Sequence, residues 1–404
     1  MFRSLAIGAG CLVLAAPVHG QTVLTLEQTI ARAREQAGAV AVARARVAEA
    51  EATLVDASAR FRDNPVFEAA AGPRAGSGRR ATDVEAGVSQ QFETGGQRAA
   101  RVASARAVID RQVAEVRQVA RGVVFEAAAA FLDGVAALER LQIGEAADTV
   151  SREVLAVTER RYAVGDIAAI ELNLARIDAA RTSATLLAAR GDLTAAVGAL
   201  RALLRLPSVE PIELRGSLDV APAAPLSQLE QAVEHRPEFE VLAADERDAD
   251  AQVRLGRALR SPDLGFRVGY EREEADTVIL GGFTVTLPAF QAGRGTEALG
   301  LARASRLRIE REMARDAAVS ELRAAYAVYE QRAAAAAAFQ RDSAPPLLDN
   351  EALGRRSYEA GEMNLMDYLL VRRDVLETRA AVIDRRLEAA RSRLTVDYVA
   401  GVLQ

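Results

Sequence analysis

Two periodicities alternate along this chain. Over 26–61, 97–161, 167–204, 227–259, 294–357 and 362–402, apolar residues recur every three or four positions, which predicts six helices. Thr25 stands where an N-cap is expected for the first. The 65 residues of 97–161 contain no proline, and a continuous helix of that length would measure about 97 Å. Helices this long exceed globular norms and point to coiled-coil packing. Gly165-Asp166 ends one such segment, and Pro345-Pro346 is expected to interrupt another, because proline removes a backbone donor and clashes with the preceding turn. Pro207, Pro211, Pro222 and Pro225 mark 206–226 as a Pro-rich linker.

Elsewhere the period is two. Leu264, Phe266, Val268 and Tyr270 alternate with Gly265, Arg267, Gly269 and Glu271, and Val84, Ala86, Val88 and Phe92 alternate with polar or small neighbours. Ile279, Phe283, Val285 and Leu287 share a face against Gly282, Thr284 and Thr286, whereas 66–72 is mostly Ala. Strands are predicted over about 65–73, 82–92, 262–271 and 277–288, joined in pairs by the polar segments 73–81 and 272–276. This alternation fits a soluble two-hairpin sheet and an outer-membrane barrel equally well. Four strands cannot close a barrel whose smallest known members have about eight, and an open edge in lipid costs several kcal/mol per unpaired group. A membrane reading therefore requires several chains.

The second half repeats the first. Tyr162-Ala163-Val164-Gly165 is echoed 196 residues on by Tyr358-Glu359-Ala360-Gly361, and the register holds through Glu171/Asp367, Arg176/Arg372 and Asp178/Asp374. At offset 197, Pro65/Pro262, Val88/Val285, Gly96/Gly293 and Arg106/Arg303 match. A unit this long is too large for a solenoid repeat and reads as two halves, 21–205 and 227–404, packed side by side.

Residues 1–20 have the form of a secretory signal: Arg3, an apolar stretch from Leu5 to Ala16, and small residues before Gln21. Its removal takes Cys11 away and leaves no thiol for disulfides or catalysis. All 51 basic residues are Arg, finely mixed with acids at a net charge of −5, so no basic patch for nucleic acid forms. Half the residues are hydrophobic but only 4% are aromatic, an Ala-rich balance suited to closely packed long helices. No nucleophile–base constellation, phosphate loop or metal-spaced His/Cys/Asp cluster occurs, so neither an enzyme nor a cofactor is expected.

In its order of helix, hairpin, long helix, turn and helix, all twice, the chain resembles the TolC-like outer-membrane efflux proteins, the trimeric channels of bacterial tripartite pumps. The resemblance covers essentially the whole mature chain. It rests on Val88–Arg98 and Val285–Phe290, each leading from strand to long helix, and on the two Tyr-x-x-Gly turns. Gln-x-x-Glu-x-Gly-Gly at Gln90–Gly96 is most like the cobalt–zinc–cadmium class, which exports divalent metals. The resemblance implies a mainly α fold with a small β part. Three copies would form a twelve-stranded barrel in the outer membrane, continuous with a twelve-helix periplasmic tunnel. The duct would be passive, coupled through a periplasmic adaptor to an inner-membrane transporter. A periplasmic coiled-coil adaptor is the competing reading; it shares the signal and long helices but needs no lipid-facing strands.

The resemblance also places Asp367 at the tunnel's constriction, with Asp374, Glu171 and Asp178 as further candidates. No Arg stands three or four residues from Asp367 to explain its charge, and Asp374 lies seven residues on, along the same helix face. Threefold symmetry would make each a ring, and acidic rings favour cations. The same residues also fit a solvated helix face. Tyr162, Gly165, Tyr358 and Gly361 would form the adaptor-docking tips, although either tyrosine can equally pack inside its hairpin. His235 reads as a surface residue, and Met363 and Met366 as a core stripe at helical spacing.

Overall fold

The computed structural model describes residues 22–75, 80–208, 211–219, 221–273 and 276–403, so the predicted signal segment lies outside it. In chain order the elements are β1 (Thr22–Leu24), α1 (Leu26–Gln36), α2 (Gly38–Ala57), β2 (Val66–Ala75), β3 (Arg80–Phe92), α3 (Gln97–Ala163) and α4 (Ala169–Leu203). Then follow β4 (Ile212–Leu214), α5 (Leu226–Val233), α6 (Pro237–Ala258), β5 (Asp263–Glu273), β6 (Asp276–Thr286), α7 (Arg294–Glu359) and α8 (Leu365–Ala400). The first helix starts on a reciprocal cap: Gln28 N–H donates to Thr25 Oγ1 at 3.2 Å, and Thr25 N–H donates to Gln28 Oε1 at 3.1 Å.

Both short helical stretches are divided. The segment expected as one helix over 26–61 breaks at Ala37, whose extended backbone (φ −60°, ψ 138°) turns Ala37 and Val40 into the core. The stretch 227–259 breaks before Pro237, which takes the first position of α6 and holds Arg236 extended at ψ 136°. The long helices behave in the opposite way. α3 spans 67 residues and α7 66, about 100 Å each. α7 runs unbroken through Pro345 and Pro346. Both prolines are exposed, so the carbonyls of Arg341 and Asp342 that lose their amide partners face water and can be hydrated there.

The four larger strands form one antiparallel sheet in the order β2-β3-β5-β6. Its register gathers most of the apolar side chains on one face, leaving Val66, Val278 and Leu280 on the other. Phe67, Val88 and Val268 form one row; Phe92, Leu264 and Val285 another; Ala86, Tyr270 and Ile279 a third. The opposite face carries Glu68, Glu85 and Arg267, with the guanidinium 2.5 Å from Glu85 and 3.6 Å from Glu68. At the sheet's lower end Gly95 lies so close to the Ala258 carbonyl that an added Cβ would sit 2.4 Å from it, which admits no side chain.

The main core lies midway along α3. Ala127, Ala128 and Ala136 let α3 approach its neighbours closely, and Phe131 is buried in one cluster with Leu24, Leu200, Leu204 and Leu218. The segment read as a linker belongs to this core. β4 pairs in parallel with β1, and Leu206, Leu214 and Leu218 are buried, tying the junction between halves to the start of the first helix. A second core joins α5, α6, α7 and α8 around Phe239, Leu322, Val396 and Val399. Phe131→Ala should lower the unfolding free energy by about 3–5 kcal/mol, the cost of an unfilled aromatic cavity, measured by chemical denaturation.

Candidate functional site

Each long helix reverses at its far end through the same device. Gly165 (φ 78°) and Gly361 (φ 76°) adopt the left-handed conformation that glycine reaches without steric cost. At the first tip Asp166 N–H donates to the Arg161 carbonyl at 2.9 Å and Gly165 N–H to the Tyr162 carbonyl at 2.9 Å. At the second, Glu362 N–H donates to Ser357 at 2.8 Å and Gly361 N–H to Tyr358 at 3.1 Å. Both are Schellman closures, which satisfy the last free carbonyls of a helix.

The side chains on these matched backbones differ. Tyr358 stacks on buried Tyr368, with ring centroids 4.8 Å apart and planes 6° from parallel. Burial of Tyr368 pushes its phenol above the usual tyrosine range. Tyr162 stands 44% exposed, beside an Arg161–Asp166 ion pair at 2.7 Å. Of the two tip tyrosines, then, Tyr358 is packed on Tyr368 and reaches Arg161 of the first tip, whereas Tyr162 is open to solvent. Met363 joins the cluster around Leu365 and Tyr368, while Met366 is exposed.

Asp367 sits in the first turn of α8 and is exposed. No arginine among the described residues pairs with it, but it has a partner in Asn364, the N-cap. Asp367 N–H donates to Asn364 Oδ1 at 2.9 Å, and Asn364 Nδ2 donates to Asp367 Oδ2 at 2.8 Å. Glu171 holds the matching position in α4, where the N-cap is Ala168 and gives no side-chain bond. Both acids lie where the positive end of the helix dipole favours them. Asp374 is exposed, with Arg373 3.7 Å away.

Asp178 is in a different state. Its carboxylate accepts from Ser151 Oγ at 2.6 Å and pairs with Arg372 Nη1 at 2.8 Å. Arg372 is almost wholly buried and also donates to the Ala147 carbonyl. In the single chain Asp178 is therefore not a free acid but half of a clasp joining α8 to α3 and α4. Asp367 and Asp178 line one groove of about 910 Å³ between α4 and α8, which Glu171 and Asp374 do not line. Arg372 was legible only as the repeat partner of Arg176, and that residue makes only a loose exposed pair with Glu159 at 3.8 Å.

Among the described residues no group of three or more His, Cys, Asp or Glu side chains could hold a metal ion. Among the same residues no helix is long and apolar enough to cross a membrane. Arg372→Met should cost about 2 kcal/mol, below the 3–5 kcal/mol typical of fully buried pairs because Asp178 retains some solvent. A double-mutant cycle with Asp178→Asn should return a coupling of about 1–2 kcal/mol. A coupling near zero would mean that the clasp contributes nothing to holding α8.

Comparison with known proteins fits this geometry. The sequence pattern of the outer membrane efflux protein family matches residues 29–204 and again 228–402, once in each half. The cobalt-zinc-cadmium resistance protein CzcC of Cupriavidus metallidurans is 25% identical over 316 residues, covering 77% of this chain and 75% of that protein. The nickel-cobalt-cadmium resistance protein NccC of Alcaligenes xylosoxydans xylosoxydans is 28% identical over 282 residues, covering 66% of this chain and 64% of that protein. The crystal structure of CusC superposes with a TM-score of 0.75 at 19% identity, over 93% of this chain and 92% of that one. The chain belongs to the outer membrane efflux protein family and is similar to its heavy-metal resistance members.

Proposed function

We propose that this protein is the outer-membrane exit duct of an efflux system, three copies forming one continuous channel. One observation carries the reading: a four-stranded sheet with one aligned apolar face and two unpaired edges, set on helical hairpins about 100 Å long. Phe67, Val268, Ile279 and Phe283 are largely exposed on this face. In lipid they would face hydrocarbon, and the edge-to-face chain Phe61–Phe92–Phe266 at the lower end suits the interfacial girdle of a barrel. The four strands alternate in direction, so edges β2 and β6 run oppositely and a neighbouring copy can extend the sheet antiparallel. Three copies give a twelve-stranded barrel above twelve long helices.

Transport through such a duct is passive, with an adaptor at the helix tips and an inner-membrane transporter supplying the energy. Of the tip residues, Tyr162 and the backbone around Gly165 and Gly361 offer the free docking surface. Divalent metal cations are the proposed cargo, supported by the metal-resistance names of CzcC and NccC. Asp367 is the proposed constriction acid, with Asp374 and Glu171 as further rings. Asp178, already paired with Arg372, holds the helices in place.

The detergent-solubilised protein should have the mass of a trimer. A stable monomer with full β-structure would overturn the barrel, because its strand edges would lie open to lipid. For the constriction, Asp367→Ala should raise the half-blocking concentration of divalent cations in single-channel recordings by about tenfold. That corresponds to ~1.4 kcal/mol of lost attraction from three partly screened carboxylates. Asp349→Ala, at an exposed position of α7, should leave block unchanged. Unaltered block in Asp367→Ala would move the constriction elsewhere.

A further inference from the structure

Strand order sets helix order at the foot of the sheet. β2 and β6 are the outer strands; α2 leads into β2, and β6 leads into α7. Between them α3 follows β3 and α6 precedes β5, so the helices stand in the order α2-α3-α6-α7. Packing follows that order, with α2 along α3, α3 along α6 and α6 along α7. Close contacts hold the four helix ends level: Arg98 Nε donates to the Ser58 carbonyl at 2.9 Å, Gly95 abuts Ala258, and Gly293 abuts Gly256. Among the described residues α2 and α7 do not pack along one another, so at this level each has a flank without a neighbour.

Those flanks are apolar. Val40, Ala43 and Ala50 are the buried positions of α2, yet Ala41, Ala45, Ala48, Ala52 and Val55 recur at helical spacing on its other side and are all exposed. In the upper part of α7, Gly300, Ala304 and Leu307 are buried, while Ala298, Ala302, Ile309 and Met313 point away and are exposed, Met313 by 65%. A helix bordered by one neighbour and by water carries one apolar stripe and a polar opposite face. These two helices carry apolar residues on both sides, as a helix between two neighbours does.

Their charges also lack partners. Asp56 in the last turn of α2 and Arg294 at the first position of α7 are exposed, and neither has an ion-pair partner among the described residues. Each stands at the unfavoured end of its own helix dipole, an acid at a C-terminus and a cation at an N-terminus. Laid antiparallel, the two helices would bring each charge beside the opposite charge and beside a helix end that favours it.

We propose that the free flank of α7 docks on the free flank of α2 of a second copy, antiparallel, with Arg294 against the second copy's Asp56. Ala48 and Ala302 each lie about 13 Å along their helix from its sheet-side end, so they face one another across the seam. The seam continues the β6 and β2 edges downward, which selects a second copy as the occupant. It rests on the exit-duct reading for the number of copies, three, that close the ring.

The only cysteine is Cys11, in the predicted signal segment, so introduced thiols report alone. Ala48→Cys/Ala302→Cys, treated in the membrane with a short bifunctional maleimide, should lose its monomer band to a covalent trimer on denaturing electrophoresis. Each single variant should stay monomeric under the same treatment. Asp56→Arg should reduce the cross-linked fraction of the cysteine pair, and adding Arg294→Asp should restore it. A pair variant that keeps the mass of a trimer in detergent but cross-links no more than the single variants overturns the seam and leaves the exit duct standing. A monomer's mass overturns both. Covalent dimers that never close into threes would support the seam and refute the count of copies. Adducts of any other mass would identify a different occupant and overturn the proposal.

Discussion

Hydrocarbon offers no hydrogen bonds, so a sheet placed in it must pair every backbone N–H and C=O within protein. Four strands cannot do this alone. β3 and β5 are paired on both sides, whereas β2 and β6 each present a free edge next to an apolar face. Water would satisfy those edges, but water would then also meet Phe67, Ile279 and Phe283. In the proposed barrel a neighbouring copy removes both costs together. From that constraint follow the opposite directions of β2 and β6, the short hairpin in each half, and the side-by-side arrangement of the halves.

The helices meet a different requirement, length without bulk. About 100 Å of helix has to pack against partners along its whole path, and Ala127, Ala128 and Ala136 show how α3 does so at the core. Large side chains are concentrated where many elements converge, around Phe131 in the first half and Leu322 in the second. Between these levels and the tips, cohesion passes to small clusters such as Val154, Ala175, Leu365 and Tyr368, and to polar ties such as Arg372 with Asp178. The waist therefore has the densest apolar contact, and the far ends depend on fewer and more polar interactions.

Much of this was legible in the sequence, because long helices and alternating strands leave strong periodic signals. The duplication and both tip glycines could be read in the same way. What was missed depended on single residues whose effect is set by surroundings. Pro237 started a new helix, while Pro345 and Pro346 did not stop one; the difference lies in exposure, which sequence does not record. The prolines of 206–226 suggested a free connector, yet Leu206, Leu214 and Leu218 are drawn into the core by a three-residue strand too short to show periodicity. Asn364 left no mark on the charge pattern around Asp367, since a capping amide carries no charge. The Asp178–Arg372 pair spans 194 positions and has no local trace.

Duplication gave the two hairpins the same backbone, and the side chains have since given them different mechanics. At the second tip Asn364 caps α8, Tyr358 stacks on Tyr368, and Arg372 clasps the helix to α3 and α4. At the first, Ala168 gives α4 no side-chain cap, Tyr162 is turned to solvent, and Arg176 makes only a loose exposed pair. The second hairpin also carries the proline pair, where the first has Thr149 and Val150 at the matching positions. Two lost amide donors weaken α7 along its own axis, while the clasp and the stacked tyrosines hold its end. The α7–α8 hairpin is thus anchored at the tip and softened above it, and α3 carries no such softening. Any bending of the helical ends should then be absorbed around Pro345, not shared between the halves.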